Sequence, residues 1–249
     1  MTHAECAPDG LESATVRIEC GGSSGSGFHF LRESIVLTNC HVVEAHLAKG
    51  APVTASTEDG ETSELKLLAH SPAADHDFAV LELSSSLGTG RRVLEPLEAE
   101  HTPRGAQVAF SGFPHGVRDL LVHKGFVSGP FGDLGFYIDG NVNPGNSGGP
   151  IVEFLSGKVV GIASARRFVG AQDMEAIGDE CAKLIEHLQR IGSSGSAVQI
   201  MGVDFVEFAR LMAQSLNLVK QALDANANTG IGIGLHIRFA LDACRKLGL

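Results

Sequence analysis

The shortness of the apolar runs limits the fold more than any other feature of this chain. From Ala14 to Ser84 the stretches ATVRIEC, GFHFL, SIVLT, PVTAST, ELKLLAH and FAVLEL follow one another, often with alternating apolar and polar positions. Runs of that length with period-two alternation read as strands. A polar, proline-containing stretch over roughly 85–104 reads as a linker. AQVAFSGF, DLLVHKGFVSG, LGFYID, GPIVEF and KVVGIASA then resume the strand spacing, and NTGIGIGLHI returns to it near the C-terminus. The 31 glycines supply tight turns between such runs. Two sets of about six short strands predict a mainly β protein of two antiparallel six-stranded barrels, each closed to hide its edges. The expected domains are 12–95 and 104–249.

The pattern changes after Phe168. Met174, Ile177, Cys181, Leu184, Ile185, Leu188 and Ile191 recur at spacings of three and four, one face of an amphipathic helix. A second helix is predicted to start at Asp204, which forms a D-x-x-E cap pattern with Glu207. Its expected buried stripe is Phe205, Phe208, Met212, Leu216, Val219 and Leu223. A helical insertion at about 170–228 therefore interrupts the second barrel, and Ile237, Leu241, Cys244 and Leu247 mark a C-terminal helix.

Charge and cysteine usage narrow the partners. Nineteen Lys and Arg against 29 Asp and Glu give a formal charge of −10 without a basic run, so neither nucleic acid nor an anionic membrane is expected. No apolar window approaches the ~18–20 residues that span a bilayer. The first twenty residues lack a basic segment followed by an apolar one, so no leader is expected. Five cysteines without CxxC spacing argue against a disulfide scaffold or structural zinc, and reduced thiols suggest a cytoplasmic protein. Neither a cofactor nor a metal is expected: there is no H-E-x-x-H cluster and no GK[ST] phosphate loop.

NVNPGNSGGPIV, residues 141–152, crowds glycines and prolines around Ser147. A serine hydroxyl needs a base to take its proton, commonly a histidine oriented by a carboxylate. Among eleven histidines, His41 stands apart because it follows the strand SIVLT directly, where rigid backbone ends and a cleft can begin. His3, His46, His101 and His187 read as solvated surface residues. For the carboxylate, ADHDFAVLEL offers Asp75 and Asp77; Asp77 starts a strand, whereas Asp75 reads as a turn residue. On these residues alone, two ordinary turn aspartates remain an equal alternative.

The blocks GSGFHF…IVLTNCHVV, DFAVLEL and NPGNSGGPIV…KVVGIAS, in the order His, Asp, Ser, resemble the signatures of trypsin-like serine peptidases, nearest the bacterial HtrA/Deg branch. VAFSGFP…KGFVSG and GIGIGLHIRFALDACRKL resemble further strands and the last helix of that branch, so the likeness covers about 14–168 and 229–247. It implies barrels of trypsin-like type and a serine endopeptidase acting through an acyl-enzyme. Ser147 would be the nucleophile, His41 the general base and Asp77 its orienting partner. The N–H groups of Gly145 and Ser147 would form the oxyanion hole, and Gly148 and Gly149 would let the chain leave the turn without crowding the acyl group. Asn146 stands where activatable zymogens carry an aspartate, so switching by a cut N-terminus is not expected. A PDZ-type domain is not expected either. Cys40 reads as a small buried thiol.

By the same resemblance Asn141 would floor the specificity pocket, with Ala163, Ser164 and Ala165 as its wall. With no acidic residue at the floor, a small or medium apolar residue before the cut is expected, unless Arg166 or Arg167 turns inward to favour an acidic one. Substrate would add as a strand along 162–164. The expected partners are a protein or peptide substrate and an activating protein at the insertion, which would pad the barrel, dock that partner or gate the cleft. A catalytically silent or latent binding module is the alternative; the complete set of triad residues speaks against it.

Overall fold

Alternation along Thr15–Cys20 sends Val16, Ile18 and Cys20 inward, and this strand, β1, opens the first barrel. The structure is a computed structural model describing residues 10–98, 102–114, 117–164, 171–193, 199–200, 203–226 and 230–249. It divides into two compact units, Met1–Arg166 with Gly230–Leu249, and Arg167–Thr229.

In the first unit a single turn, α1 (Leu11–Ala14), leads into β1. β2 (Ser23–Phe30), β3 (Arg32–Thr38), β4 (Val53–Ser56), β5 (Thr62–Ser71) and β6 (Phe78–Leu83) follow, with a 3₁₀ turn at Cys40–Val43 and α2 (Glu44–Lys49) after β3. They close as β1-β2-β3-β6-β5-β4, every pair antiparallel. Closure pairs both edges of every strand and removes the exposed edges that short strands would leave.

The second barrel uses β7 (Gln107–Gly112), β8 (Leu121–Phe131), β9 (Gly135–Asp139), β10 (Pro150–Glu153) and β11 (Val159–Ser164). The chain then enters the other unit: α3 (Ala171–Gly192), the short pair β12 (Gln199–Ile200) and β13 (Val203–Asp204), and α4 (Phe205–Asn226). It returns as β14 (Ile231–His236), which completes the order β10-β11-β14-β9-β8-β7, and ends in α5 (Ile237–Lys246). The mainly β architecture of two closed six-stranded antiparallel barrels, with helices added, is as the strand spacing predicts.

Each barrel has its own apolar filling, Ile18, Val36, Leu65 and Leu81 in the first, Phe110, Phe136, Ile138 and Ile151 in the second. A third cluster joins them: Phe28, Phe30 and Val80 of one barrel meet Val152, Val159 and Ile162 of the other, together with Ile237 and Leu241 of α5. The polar linker is less slack than its composition suggests. Leu94 N–H donates to the His29 carbonyl at 3.0 Å, and Leu97 N–H to that of Val159 at 2.8 Å, so the segment is stitched onto β2 and β11.

In the second unit Asp204 caps α4: its Oδ1 accepts the N–H groups of Val206 and Glu207 at 2.9 and 3.2 Å, as the D-x-x-E pattern predicts. The expected buried stripe of α4 is not what the helix hides. Ala209 and Ala213 are buried and Leu216 of the expected stripe is half-buried, while Phe205, Phe208, Met212 and Val219 are exposed. The small residues of α4 are thus hidden better than most of its larger apolar side chains. The side chain of Leu223 lies outside the described residues.

His29 makes the first unit sensitive to acid. It is fully buried on β2, with Nδ1 donating to the Glu33 carbonyl at 2.7 Å and Nε2 without a partner among the described residues. Burial pushes its pKa below the ordinary value; the Glu33 carbonyl opposes that shift and the Arg91 charge adds to it. His123, stacked on Phe110, is pushed down by burial as well. The unfolded chain therefore binds these protons more readily. Their contribution to stability is complete above the ordinary histidine range, ~6.5, and is lost as pH falls through the lowered folded values. Melting curves from about pH 7.5 to 5 should show a falling Tm, with a shallower fall in His29→Gln; a flat Tm would contradict the assignment.

Candidate active site

His41 lies where β3 gives way to the 3₁₀ turn. Ile35, Val36 and Leu37 anchor the strand in the core, and Thr38 and Asn39 after them are fully buried. Asp77 enters β6 with φ at 47°, a left-handed backbone that non-glycine residues rarely adopt. Two contacts hold it there: its N–H donates to the Pro72 carbonyl at 3.1 Å, and the Asp77 carbonyl accepts from Asn39 Nδ2 at 2.8 Å. The carboxylate grips His41 twice. Oδ1 accepts the His41 backbone N–H at 3.0 Å, and Oδ2 meets Nδ1 at 2.7 Å. Both side chains are largely buried. With Nδ1 donating, Nε2 is the ring nitrogen left with a lone pair. Asp75 is exposed, its N–H donating to the Pro72 carbonyl, in keeping with a turn residue.

The Ser147 turn is held almost entirely by its backbone. Asn146 N–H donates to the Asn143 carbonyl, Gly149 N–H to that of Asn146, and Gly148 N–H to that of Ala163, at 2.8–2.9 Å. Gly145 has φ at 100°, and a β-carbon there would run into the Phe113 carbonyl. Its N–H has no hydrogen-bond partner among the described residues, whereas those of Asn146, Gly148 and Gly149 are all used. Gly148 and Gly149 serve a different end from the one expected. A β-carbon on Gly148 would strike Ser26 O and Thr38 Oγ1, and one on Gly149 would strike Ser111 O. Their bareness lets the turn lie on β2, the end of β3 and β7, and so brings Ser147 to the strand end that carries His41.

The pocket residues are placed unevenly. Asn141 is exposed, Ala163 and Ser164 are buried on β11, and Ala165, Arg166 and Arg167 lie outside the described residues. Addition of a substrate strand along 162–163 is not possible. Ile162 pairs with Pro150 on one side and Leu235 on the other, and Ala163 exchanges backbone bonds with Gly148 and Gly149. Of the expected stretch only Ser164 keeps an open side in the described pairing. Asn146 is fully buried, neither amide atom has a partner among the described residues, and as an amide it offers no carboxylate to a chain terminus. Cys40 is buried, its Sγ 3.8 Å from His70 Nδ1. Among the described residues no three His, Cys, Asp or Glu side chains gather as metal ligands would.

Sequence reasoning passed over Ser26 and Asn39. Both sit inside quoted signature blocks, but a contact such as Ser26 to Gly145 spans 119 positions and leaves no local pattern.

Two antiparallel six-stranded barrels, with a histidine–aspartate pair carried by one and a serine on a glycine turn by the other, are the architecture of trypsin-like serine peptidases. Comparison with known proteins agrees: the sequence profile of the trypsin-like peptidase domain matches residues 25–162, and the chain belongs to that family. The probable periplasmic serine endoprotease DegP-like of Brucella suis is 34% identical over 152 residues, covering 57% of this chain and 28% of that protein. The serine protease Do-like HtrA of Bacillus subtilis is 31% identical over 186 residues, covering 68% and 39%. The chain thus spans between about a quarter and two fifths of the length of these relatives. The Rv3671c protease in an inactive form superposes with a TM-score of 0.50 at 26% identity, over 61% of this chain and 78% of that one. Deg5, with a TM-score of 0.51 at 24% identity over 63% and 81%, shares the fold.

These relatives correct one expectation. The cytoplasmic location inferred from the cysteines is overturned by the Brucella protein, which is named periplasmic. Cys20, Cys40 and Cys244 are buried thiols, and burial raises the Cys244 thiol to about 11. Thiols shielded in this way say little about the redox state of the surroundings. Among the described residues no helix is long and apolar enough to cross a membrane.

Proposed function

We propose that this chain is a serine endopeptidase that hydrolyses protein or peptide substrates through an acyl-enzyme. Ser147 Oγ attacks the scissile carbonyl while His41 Nε2 takes its proton. Asp77 fixes the imidazole and stabilises the imidazolium, and the Gly145 and Ser147 N–H groups receive the developing oxyanion. Nε2 then returns the proton to the leaving amine, and water repeats the sequence on the acyl group. The reading rests on the double grip of Asp77 on His41 beside a turn whose Gly145 N–H is left open. Asn141, Ala163, Ser164 and Ala165 are proposed to shape the pocket for the residue before the cut.

His41 Nε2 must accept the serine proton at attack, so His41→Ala should lower kcat by several powers of ten with KM nearly unchanged. Wild-type kcat in a folded His41→Ala would remove His41 as base. The inserted unit is proposed as the place where an activating protein acts. Its deletion should change peptide turnover, and unchanged kcat and KM would end that part of the proposal.

A further inference from the structure

Ser26 belongs to the first barrel, yet every polar atom it has is spent on holding the Ser147 turn of the second barrel or the strands beneath it. Its N–H donates to the Ser147 carbonyl at 2.8 Å. Its hydroxyl donates to the Gly145 carbonyl at 2.7 Å and accepts the Phe113 N–H at 3.0 Å. Its own carbonyl accepts Thr38 Oγ1 at 2.6 Å. The residue is fully buried, and a β-carbon on Gly112 would lie 2.7 Å from Ser26 Oγ, which shows how closely that hydroxyl is enclosed.

The enclosure matters because Gly145 is the residue least able to hold its own shape. Glycine visits positive and negative φ with similar ease, so a single conformation at 100° must be imposed from outside. One side of the restraint is the Phe113 carbonyl, which fills the space a β-carbon on Gly145 would need. The other is the anchored carbonyl of Gly145 itself. One hydroxyl fixes both, since it takes the N–H of Phe113 and gives its proton to Gly145.

We propose that Ser26 is a positioning residue that holds Gly145 with its N–H toward the oxyanion, acting on turnover and not on substrate binding. The proposal rests on the serine-peptidase reading above. Ser26→Ala leaves the backbone contacts to Ser147 and Thr38 possible but strips the Gly145 carbonyl and the Phe113 N–H of their shared partner.

The test compares wild type, Ser26→Ala, Ser26→Cys and Ser147→Ala as full chains. Each is assayed with a tripeptide p-nitroanilide ending in valine, the aldehyde of the same peptide and the free product peptide. The aldehyde forms a hemiacetal whose oxygen occupies the oxyanion position; the product peptide does not. Ser26→Ala should lower kcat by ~10–100-fold with KM within about twofold, because a misaligned donor loses part of what a deleted donor loses. Aldehyde affinity should fall by a similar factor and product affinity should hold, with Ser26→Cys lying between. A folded Ser26→Ala with wild-type kcat overturns the proposal, and so does a loss of kcat without loss of aldehyde affinity. Should Ser26→Ala not fold, Ser26→Cys decides by the same split. Turnover surviving in Ser147→Ala overturns the underlying reading instead, whatever the Ser26 variants do.

Discussion

Ser147→Ala is expected to lower kcat by ~10⁴-fold or more while leaving KM and the fold nearly unchanged. The side chain is small and its residue is 4% exposed, so removing one oxygen opens no void that the core must collapse into. The turn is carried by backbone bonds of Asn146, Gly148 and Gly149, and these do not depend on the serine hydroxyl. What disappears, on the proposed mechanism, is the nucleophile. The residual rate would come from binding and from oxyanion donors acting on a bound water. Steady-state kinetics with a peptide substrate, alongside a melting curve, checks it. A loss below about tenfold in a folded variant would mean that another group performs the attack.

Asp77→Asn should produce a loss of similar order, ~10⁴ in kcat, for a different reason. Asp77 accepts two donors from one residue, the backbone N–H and Nδ1–H of His41. Asparagine keeps only one oxygen to accept with. Either the backbone contact is lost, or an amide N–H faces Nδ1 and forces the proton onto Nε2, the nitrogen proposed as base. Asparagine tolerates a left-handed backbone, and the Asn39 and Pro72 contacts hold main-chain atoms only. The variant should therefore fold and bind substrate while failing in proton transfer. The loss should appear in kcat; a loss that appears wholly in KM would contradict this account.

Both variants probe residues that could be read from the chain, and their legibility has a physical basis. Strand length and alternation are local properties, so SIVLT and FAVLEL announce β3 and β6 without any knowledge of their partners. Closure into barrels follows from the need to hide edges. His41 and Asp77 sit at strand ends, where a rigid backbone can offer a side chain to a cleft, and glycine crowding around Ser147 marks a turn that no ordinary residue could follow.

What was not legible depends on distant contacts. A polar composition marks 85–104 as a linker but does not show that Leu94 and Leu97 bond to β2 and β11. Gly148 and Gly149 looked like room for an acyl group, but they are bare because other strands lie against them. Periodicity on α4 marked its larger apolar residues as the buried face, whereas Ala209 and Ala213 are the ones hidden. Ser26 and Asn39 were invisible for the same reason. Each acts through hydrogen bonds to backbone far along the chain, Asn39 to Asp77 and Ser26 to Gly145 and Phe113.

The central claim is that Ser147 is a nucleophile activated by His41. It is tested most directly by a fluorophosphonate probe followed by peptide mapping, since such a reagent phosphonylates a serine only where a base and an oxyanion site already assist it. The account predicts one adduct, on Ser147, in the wild type, with none in Ser147→Ala and slow formation in His41→Ala. An unlabelled wild-type protein, or an adduct that persists in Ser147→Ala, would contradict it.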